Sequence, residues 1–322
     1  MVAAGASGPV VVTGGAGAIG AVLVRALLTS GREVRVIDNL SGGRSEHLTG
    51  VAADPRLTFV RADLAEPERY QELFGGASEV WHLAANADIQ KGTADPQIDL
   101  REGLLNAFRV MEAARRHGVR KLLFSSSSVV YGRPSVFPTP EEYGPLLPQS
   151  IYGASKLSVE AFLSAFAHSY GIQTYLFRFA NIIGPFMTHG VIYDFFAKLQ
   201  RDPTRLEVLG DGRQSKSYLR SEDCVAGMLF VRDHADEVVN VFNLGARDRT
   251  SVREIAERVV AIHGGRARID YTGGERGWVG DVPQQLLDIT KVERLGWVPT
   301  LTSAAAVDRT ITELARERGI GR

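Results

Sequence analysis

The sequence predicts an α/β fold, a doubly wound parallel sheet followed by a smaller, interleaved α+β unit. Three observations carry that prediction. Short β-rich runs alternate with longer amphipathic stretches through the first part of the chain, as in successive βαβ units. Those runs are continuously apolar rather than alternating, as strands buried on both faces of a parallel sheet are. From about residue 181 the alternation loosens into segments punctuated by Gly and Pro. At 322 residues the chain has room for a sizeable core in one large or two ordinary domains.

The strand candidates are Val10–Thr13, Val34–Ile37, Leu57–Val60, Val80–Leu83, Lys121–Phe124 and Thr174–Phe177. Helical spacing predicts Ile19–Thr29, Gln97–His117 and Tyr152–Tyr170, the last from the recurrence of Ala161, Phe162, Ala165 and Phe166. Further helices are expected near Tyr193–Gln200, Ser221–Val231, Ser251–Ile262 and Ser303–Arg318. Ser251 and Glu254 form a capping-box start, since hydroxyl and carboxylate can each satisfy an end amide. Met1–Gly8 reads as a loose tail. The division expected is 1–180 and 181–322, with the second part interleaved with returning elements of the first.

Composition narrows the function. With 37 basic and 37 acidic residues interspersed, no bulk field or basic run points to nucleic acid. No window supplies the roughly twenty apolar residues of a membrane span. The single cysteine, Cys224, forms no internal disulfide and fits a reducing compartment, so the cytoplasm is expected. His82, His117, His168 and His189 lack metal-ligand spacing, and no metal is expected.

After the first strand comes Gly14-Gly15-Ala16-Gly17-Ala18-Ile19-Gly20, leading straight into a helix. Glycines at 14 and 17 allow a tight turn and close backbone approach, so that the helix N-terminus can face a pyrophosphate. The glycine at 20 lets the helix pack on the sheet. Asp38 ends the second strand, where a carboxylate accepts hydrogen bonds from an adenosine ribose and repels a 2′-phosphate. NAD is therefore favoured over NADP, with Arg44 nearby weakening the preference a little. Asp63-Leu64 after the third strand is placed to meet the adenine edge; taken by itself, Asp63 also reads as an exposed loop carboxylate.

Tyr152-Gly153-Ala154-Ser155-Lys156 puts a phenol and an ammonium four apart on one helix face. A tyrosine titrates near 10, so a phenolate at neutral pH needs a downward shift of about three units, roughly 4 kcal/mol of differential interaction. Lys156 and a cationic nicotinamide ring could supply it. Alone, the pair would be an ordinary amphipathic pair, but the fifth strand ends in Ser125-Ser126-Ser127-Ser128 at the sheet edge where open α/β folds place ligands. Serines there are expected to face the cofactor, although a serine-rich turn could also satisfy its own backbone.

At these residues the chain resembles the extended short-chain dehydrogenase/reductase superfamily, in its NAD-dependent epimerase/dehydratase branch and most of all the UDP-glucose (UDP-galactose) 4-epimerases. The resemblance runs from Val10 to about Val307. It rests on the glycine turn, Asp38-Asn39-Leu40, Asp63-Leu64, His82-Leu83-Ala84-Ala85, the serine strand with Val130-Tyr131-Gly132, and Tyr152 with Lys156. Arg178-Phe179-Ala180-Asn181-Ile182-Ile183-Gly184-Pro185, Gly210-Asp211-Gly212, Glu222-Asp223 and Gly280-Asp281-Val282-Pro283 extend it.

The resemblance implies a Rossmann domain whose NAD is held by Gly14, Gly17, Ala18, Ile19, Gly20, Asp38, Asn39, Leu40, Ser41, Gly43, Asp63, Leu64, Leu83, Ala84, Ala85, Ser125, Tyr152 and Lys156. It implies Tyr152 as general base and acid, Lys156 on the nicotinamide ribose, and Ser127 on the reacting hydroxyl. A nucleotide-diphosphate sugar, UDP-hexose above all, would meet Ala87, Ser127, Ser128, Tyr152, Asn181, Gly190, Val191, Lys216, Tyr218, Arg276 and Asp281. The implied reaction is 4-epimerisation through transient oxidation at sugar carbon 4. The two long helices, Gln97–His117 and Tyr152–Tyr170, would pair with their copies in a homodimer.

Departures from the family pattern bear on substrate more than on the redox core. Ser127-Ser128-Val129 stands where 4,6-dehydratases carry Thr-Asp-Glu, which disfavours dehydration. Lys216-Ser217-Tyr218 replaces Arg-Asp-Tyr, and Gly103 replaces an Asn at the start of the long helix. Trp278 takes the usual place of a diphosphate arginine and reads equally as a stacking contact or a cap, leaving Arg276 or Lys216 to supply the charge. The alternatives are a UDP-glucuronate 4-epimerase or decarboxylase, or a catalytically silent NAD-binding sensor or scaffold.

Overall fold

The computed structural model describes residues 8–277 and 282–320. Six strands come first, β1 (Val10–Thr13), β2 (Val34–Asp38), β3 (Leu57–Arg61), β4 (Glu79–His82), β5 (Lys121–Ser127) and β6 (Gln173–Phe179). A seventh, Val239–Leu244, returns from beyond residue 181 to pair with β6. The sheet order is Val239–Leu244, β6, β5, β4, β1, β2, β3, and every pairing is parallel. The order reverses between β1 and β4, which opens a crevice beyond their carboxyl ends. Val10, Val11 and Val12 are wholly buried, as a central strand covered on both faces must be.

Helix α1 (Ala18–Thr29) follows β1 directly, opened by Gly17 in an extended conformation. Its buried face, Ala21, Leu23, Val24, Leu27 and Leu28, packs into the core on one side of the sheet. The helix Ile151–Tyr170 is capped at Ser150, whose hydroxyl accepts from Gly153 N, and ends at left-handed Gly171. The helices Val191–Arg201, Val252–Ile262 and Ser303–Glu317 surround a separate core of Ile192, Phe195, Phe196, Ile255, Val259 and Ile311. Short strand pairs accompany it: Asn181–Ile183 with Tyr218–Arg220, Arg205–Val208 with Arg268–Tyr271, and a three-stranded group around Ser215–Lys216. The Ser251 capping box is formed in both directions.

One element differs from the sequence expectation. Residues 97–117 do not form one regular helix: Pro96–Ile98 leads into a π-helical turn, Asp99–Leu105, and only then into an α-helix, Asn106–Arg116. The wide turn carries Gly103, whose missing side chain lets it close on the helix Ile151–Tyr170; an added Cβ would lie 2.6 Å from Ser155 Oγ. After β3 there are only the short 3₁₀ turns Pro67–Arg69 and Gln71–Phe74, bounded by Pro67 and by Gly75-Gly76. Among the described residues no helix is long and apolar enough to cross a membrane.

Candidate active site

At the carboxyl end of β1 the glycine turn leaves backbone where side chains would stand. Gly14 has φ +72°, and a Cβ there would lie 2.7 Å from Ala84 N. Gly20 packs its α-carbon on the Gly14 carbonyl, which excludes any side chain. The first amides of α1 face outward without an intrahelical acceptor, so this bare cradle fits a pyrophosphate.

The Asp38 carboxylate ties the turn to the next strand, accepting from Ala16 N at 2.9 Å and Leu40 N at 2.8 Å. Leu40 takes a left-handed φ of 64° to reach it. Asn39 donates to Asp63 Oδ2 at 2.9 Å and accepts from Ser41 N at 2.9 Å. Gly43 lies against the Ala16 carbonyl, where a Cβ would come within 2.7 Å. Asp38, Asn39, Ser41, Gly43 and Asp63 thus form one rim of carboxylate, amide and backbone groups, suited to an adenosine. Leu64 is buried beneath it, and Leu83, Ala84 and Ala85 continue from β4 half-buried.

Deeper in the crevice Lys156 is 4% exposed and donates from Nζ to the Ser125 carbonyl at 2.7 Å. Nζ also stands 4.7 Å above the Phe124 ring and 5.6 Å from the Tyr152 ring. Burial pulls its pKa down to about 7, against the attraction of Asp99 and Glu160. Tyr152, half-buried one helical turn earlier, is hydrogen-bonded by Ser127. Its phenol is pushed up rather than down, by burial first and by the Asp99 charge second, with Ser127 pulling the other way. In the protein alone desolvation outweighs Ser127, and the downward pull expected from Lys156 together with a bound nicotinamide is a matter for the loaded site.

His82 is neutral, its pKa driven to about 3 by burial and by Lys156; Nδ1 bonds Thr13 Oγ1 at 2.7 Å. The serines do not all face one way. Strand alternation sets Ser125 and Ser127 on the face opposite Ser126: the buried Ser125 hydroxyl donates to the His82 carbonyl at 3.3 Å, whereas Ser126 turns to Glu160 Oε1, at 2.5 Å. Glu160 in turn holds Arg178, whose Nη2 donates to Oε2 at 2.7 Å, and Arg178 also reaches Tyr131 and the Glu141 carbonyl.

The residues expected at a substrate are spread more widely. Ser128 is half-buried at the start of the 3₁₀ turn Ser128–Tyr131, and Ala87 is exposed beyond β4. Asn181 Nδ2 donates to the Ser217 carbonyl at 3.2 Å and to Gln285 Oε1 at 3.3 Å, so both its protons are directed into the protein. Gly190, at φ +102°, opens the helix Val191–Arg201. Lys216 is half-buried on its short strand. Tyr218 is 3% exposed in the second core, which leaves its ring no open face. Arg276 is exposed on a loop, and Trp278 and Asp281 lie outside the described residues.

The sequence reading missed Asn86, Asp99, Glu160 and Arg178. An arginine inside the apolar run Leu176-Phe177-Arg178-Phe179 was the available signal, since a charge in a buried strand needs a buried partner. Among the described residues no group of three or more His, Cys, Asp or Glu side chains could hold a metal.

A parallel sheet with a bare glycine cradle at its switch point, and a serine, tyrosine and lysine converging beside it, defines an enzyme of the short-chain dehydrogenase/reductase kind. The family model for the NAD dependent epimerase/dehydratase family matches residues 10–245, and the chain belongs to that family. It is 33% identical over 307 residues to UDP-glucose 4-epimerase of Mycolicibacterium smegmatis, covering 93% of this chain and 96% of the relative. It is 30% identical over 315 residues to UDP-glucuronic acid decarboxylase 1 of Arabidopsis thaliana, covering 94% and 69%. A crystal structure of UDP-galactose 4-epimerase superposes with a TM-score of 0.86 at 40% identity, covering 96% of this chain and 99% of that one. The chain is an NAD-dependent nucleotide-sugar epimerase.

Proposed function

We propose that the protein interconverts UDP-glucose and UDP-galactose, or a closely related UDP-hexose pair, through a 4-keto sugar. The observation that carries the reading is the Ser127, Tyr152 and Lys156 group at the glycine cradle. NAD, when bound, supplies a reversible hydride acceptor and a positive ring. Tyr152 Oη takes the proton of the sugar 4-hydroxyl, with Ser127 orienting that hydroxyl and the nearby Lys156 ammonium favouring the phenolate. Once the keto sugar has presented its other face, Tyr152 returns the proton to the opposite alcohol. Holding the phenol protonated until the site is loaded keeps the base from acting without cofactor.

The 3₁₀ turn Ser128–Tyr131 carries no carboxylate for expelling water, which supports epimerisation over dehydration. Decarboxylation of a UDP-glucuronate is the second reading, favoured by the likeness to the Arabidopsis decarboxylase. Incubation with a panel of nucleotide sugars, followed by NMR, tests both: a C4 epimer is expected, and loss of carbon dioxide or water alone would overturn the epimerase reading.

The same reading makes Asn181, Lys216 and Arg276 the groups nearest the diphosphate. Homodimerisation through the two long helices is supported by Leu100, Leu105, Phe108 and Phe162, all exposed there; light scattering on Phe162→Glu should report a shift toward monomer. The buried, unpaired Cys224 supports a cytoplasmic setting.

A further inference from the structure

Among the described residues, two of the buried side-chain atoms without a hydrogen-bond partner, His82 Nε2 and Asp99 Oδ2, belong to groups whose charge states are coupled to Lys156. Asp99 is 1% exposed at the head of the π-helical turn. Asn86 Nδ2 donates to its Oδ1 at 2.9 Å. Its Oδ2 lies against Gly92, where an added Cβ would have no room. A carboxylate so enclosed, with one neutral donor, must either carry a proton or have a cation at hand.

Burial raises the Asp99 carboxyl, and the Asn86 hydrogen bond and the charge of Lys156, on the neighbouring element, pull it back down. The π-helical turn packs along the helix Ile151–Tyr170, and side-chain-free Gly103 brings it against Ser155, the residue before Lys156. Four titratable groups act on or flank the Lys156 ammonium: Tyr152 and Glu160 on its own helix, His82 from β4, and Asp99 from the turn. Glu160 is matched by Arg178 and capped by Ser126. His82 and Tyr152 are neutral. Asp99 is left as the one carboxylate of the set not balanced by another cation.

We propose that Asp99 is a positioning residue, the counter-charge that holds the Lys156 ammonium at the catalytic tyrosine. This rests on the reading that Tyr152 and Lys156 carry the proton chemistry. Gly92 and Gly103 are then explained together, one making space for the carboxylate and the other bringing its turn against the tyrosine helix.

The test is a lysine titration. The chain has six lysines, so NMR of the purified protein carrying ¹³C-labelled lysine resolves them, with Lys156→Met identifying the signal. Asp99→Asn should move the Lys156 midpoint down by about one unit or more, Asp99→Glu should leave it near the parent, and Asn86→Ala should move it the same way by less. The alkaline limb of the kcat/KM profile should follow, with bound NAD per chain unchanged. An unmoved Lys156 midpoint in both Asp99→Asn and Asn86→Ala overturns the inference, as does an activity loss equal at every pH. Undiminished turnover in Tyr152→Phe would instead overturn the catalytic reading, whatever the lysine does.

Discussion

Two buried cations stand on neighbouring elements and are treated in opposite ways. Arg178, in β6, is bound at both oxygens of Glu160, with distances from 2.7 to 3.3 Å, and gives its remaining reach to Tyr131 and the Glu141 carbonyl. Among the described residues Lys156 makes one direct bond, to a carbonyl, and has its balancing carboxylate on another element. The first site is saturated and so fixes geometry: it locks the tyrosine helix, β6 and the loop after β5 to each other. The second keeps unengaged donors, which is what binding a ribose and stabilising a phenolate require. The lesson is that burial alone does not mark a functional charge; incomplete satisfaction beside a cradle does.

The largest expected effect separates the two sites cleanly. Tyr152→Phe should lower kcat by roughly 10³-fold, within the usual span of general acid-base catalysis, while the thermal midpoint and NAD content stay at parent values. Arg178→Met should do the reverse, costing about 3–5 kcal/mol in denaturant unfolding because Glu160 is left charged and buried. A normal unfolding midpoint in Arg178→Met would break the contrast.

A third experiment uses pH. Lys156 titrates at about 7 when folded and near 10.4 when unfolded. The unfolded chain therefore holds the proton more tightly, and stability of the cofactor-free protein should rise as pH climbs through that window. Lys156→Met should flatten that rise; parallel curves for the two proteins would show the lysine is not desolvated. The smallest effect sharpens the saturated site: Ser126→Ala should cost about 1–2 kcal/mol and leave kcat unchanged, because its hydroxyl serves Glu160 rather than the crevice.

How far the sequence could be read follows from the range of the forces involved. The strands, the glycine turn and the tyrosine helix were legible because each is set by local pattern, and the structure has all six early strands. The capping box was legible for the same reason. The π-helical turn was not, because 97–117 is helical in composition and the close packing of Gly103 on Ser155 that accompanies the wide turn comes from another element. Ser126 looked identical to its neighbours, and only the face it takes on β5 assigns it to Glu160. The direction of the Tyr152 shift depends on desolvation by surrounding elements, which no spacing in one segment reports.

The seventh strand has a consequence for how the chain is made. Val239–Leu244 covers the open edge of β6, and Asn243 there binds Tyr131, the Thr139 carbonyl and Glu141. A nascent chain emerging from the ribosome cannot close its first sheet until residue 244 is out, however early the other six strands are available. Any fragment cut near residue 180 carries a bare, strongly apolar edge, which is where such pieces stick to one another.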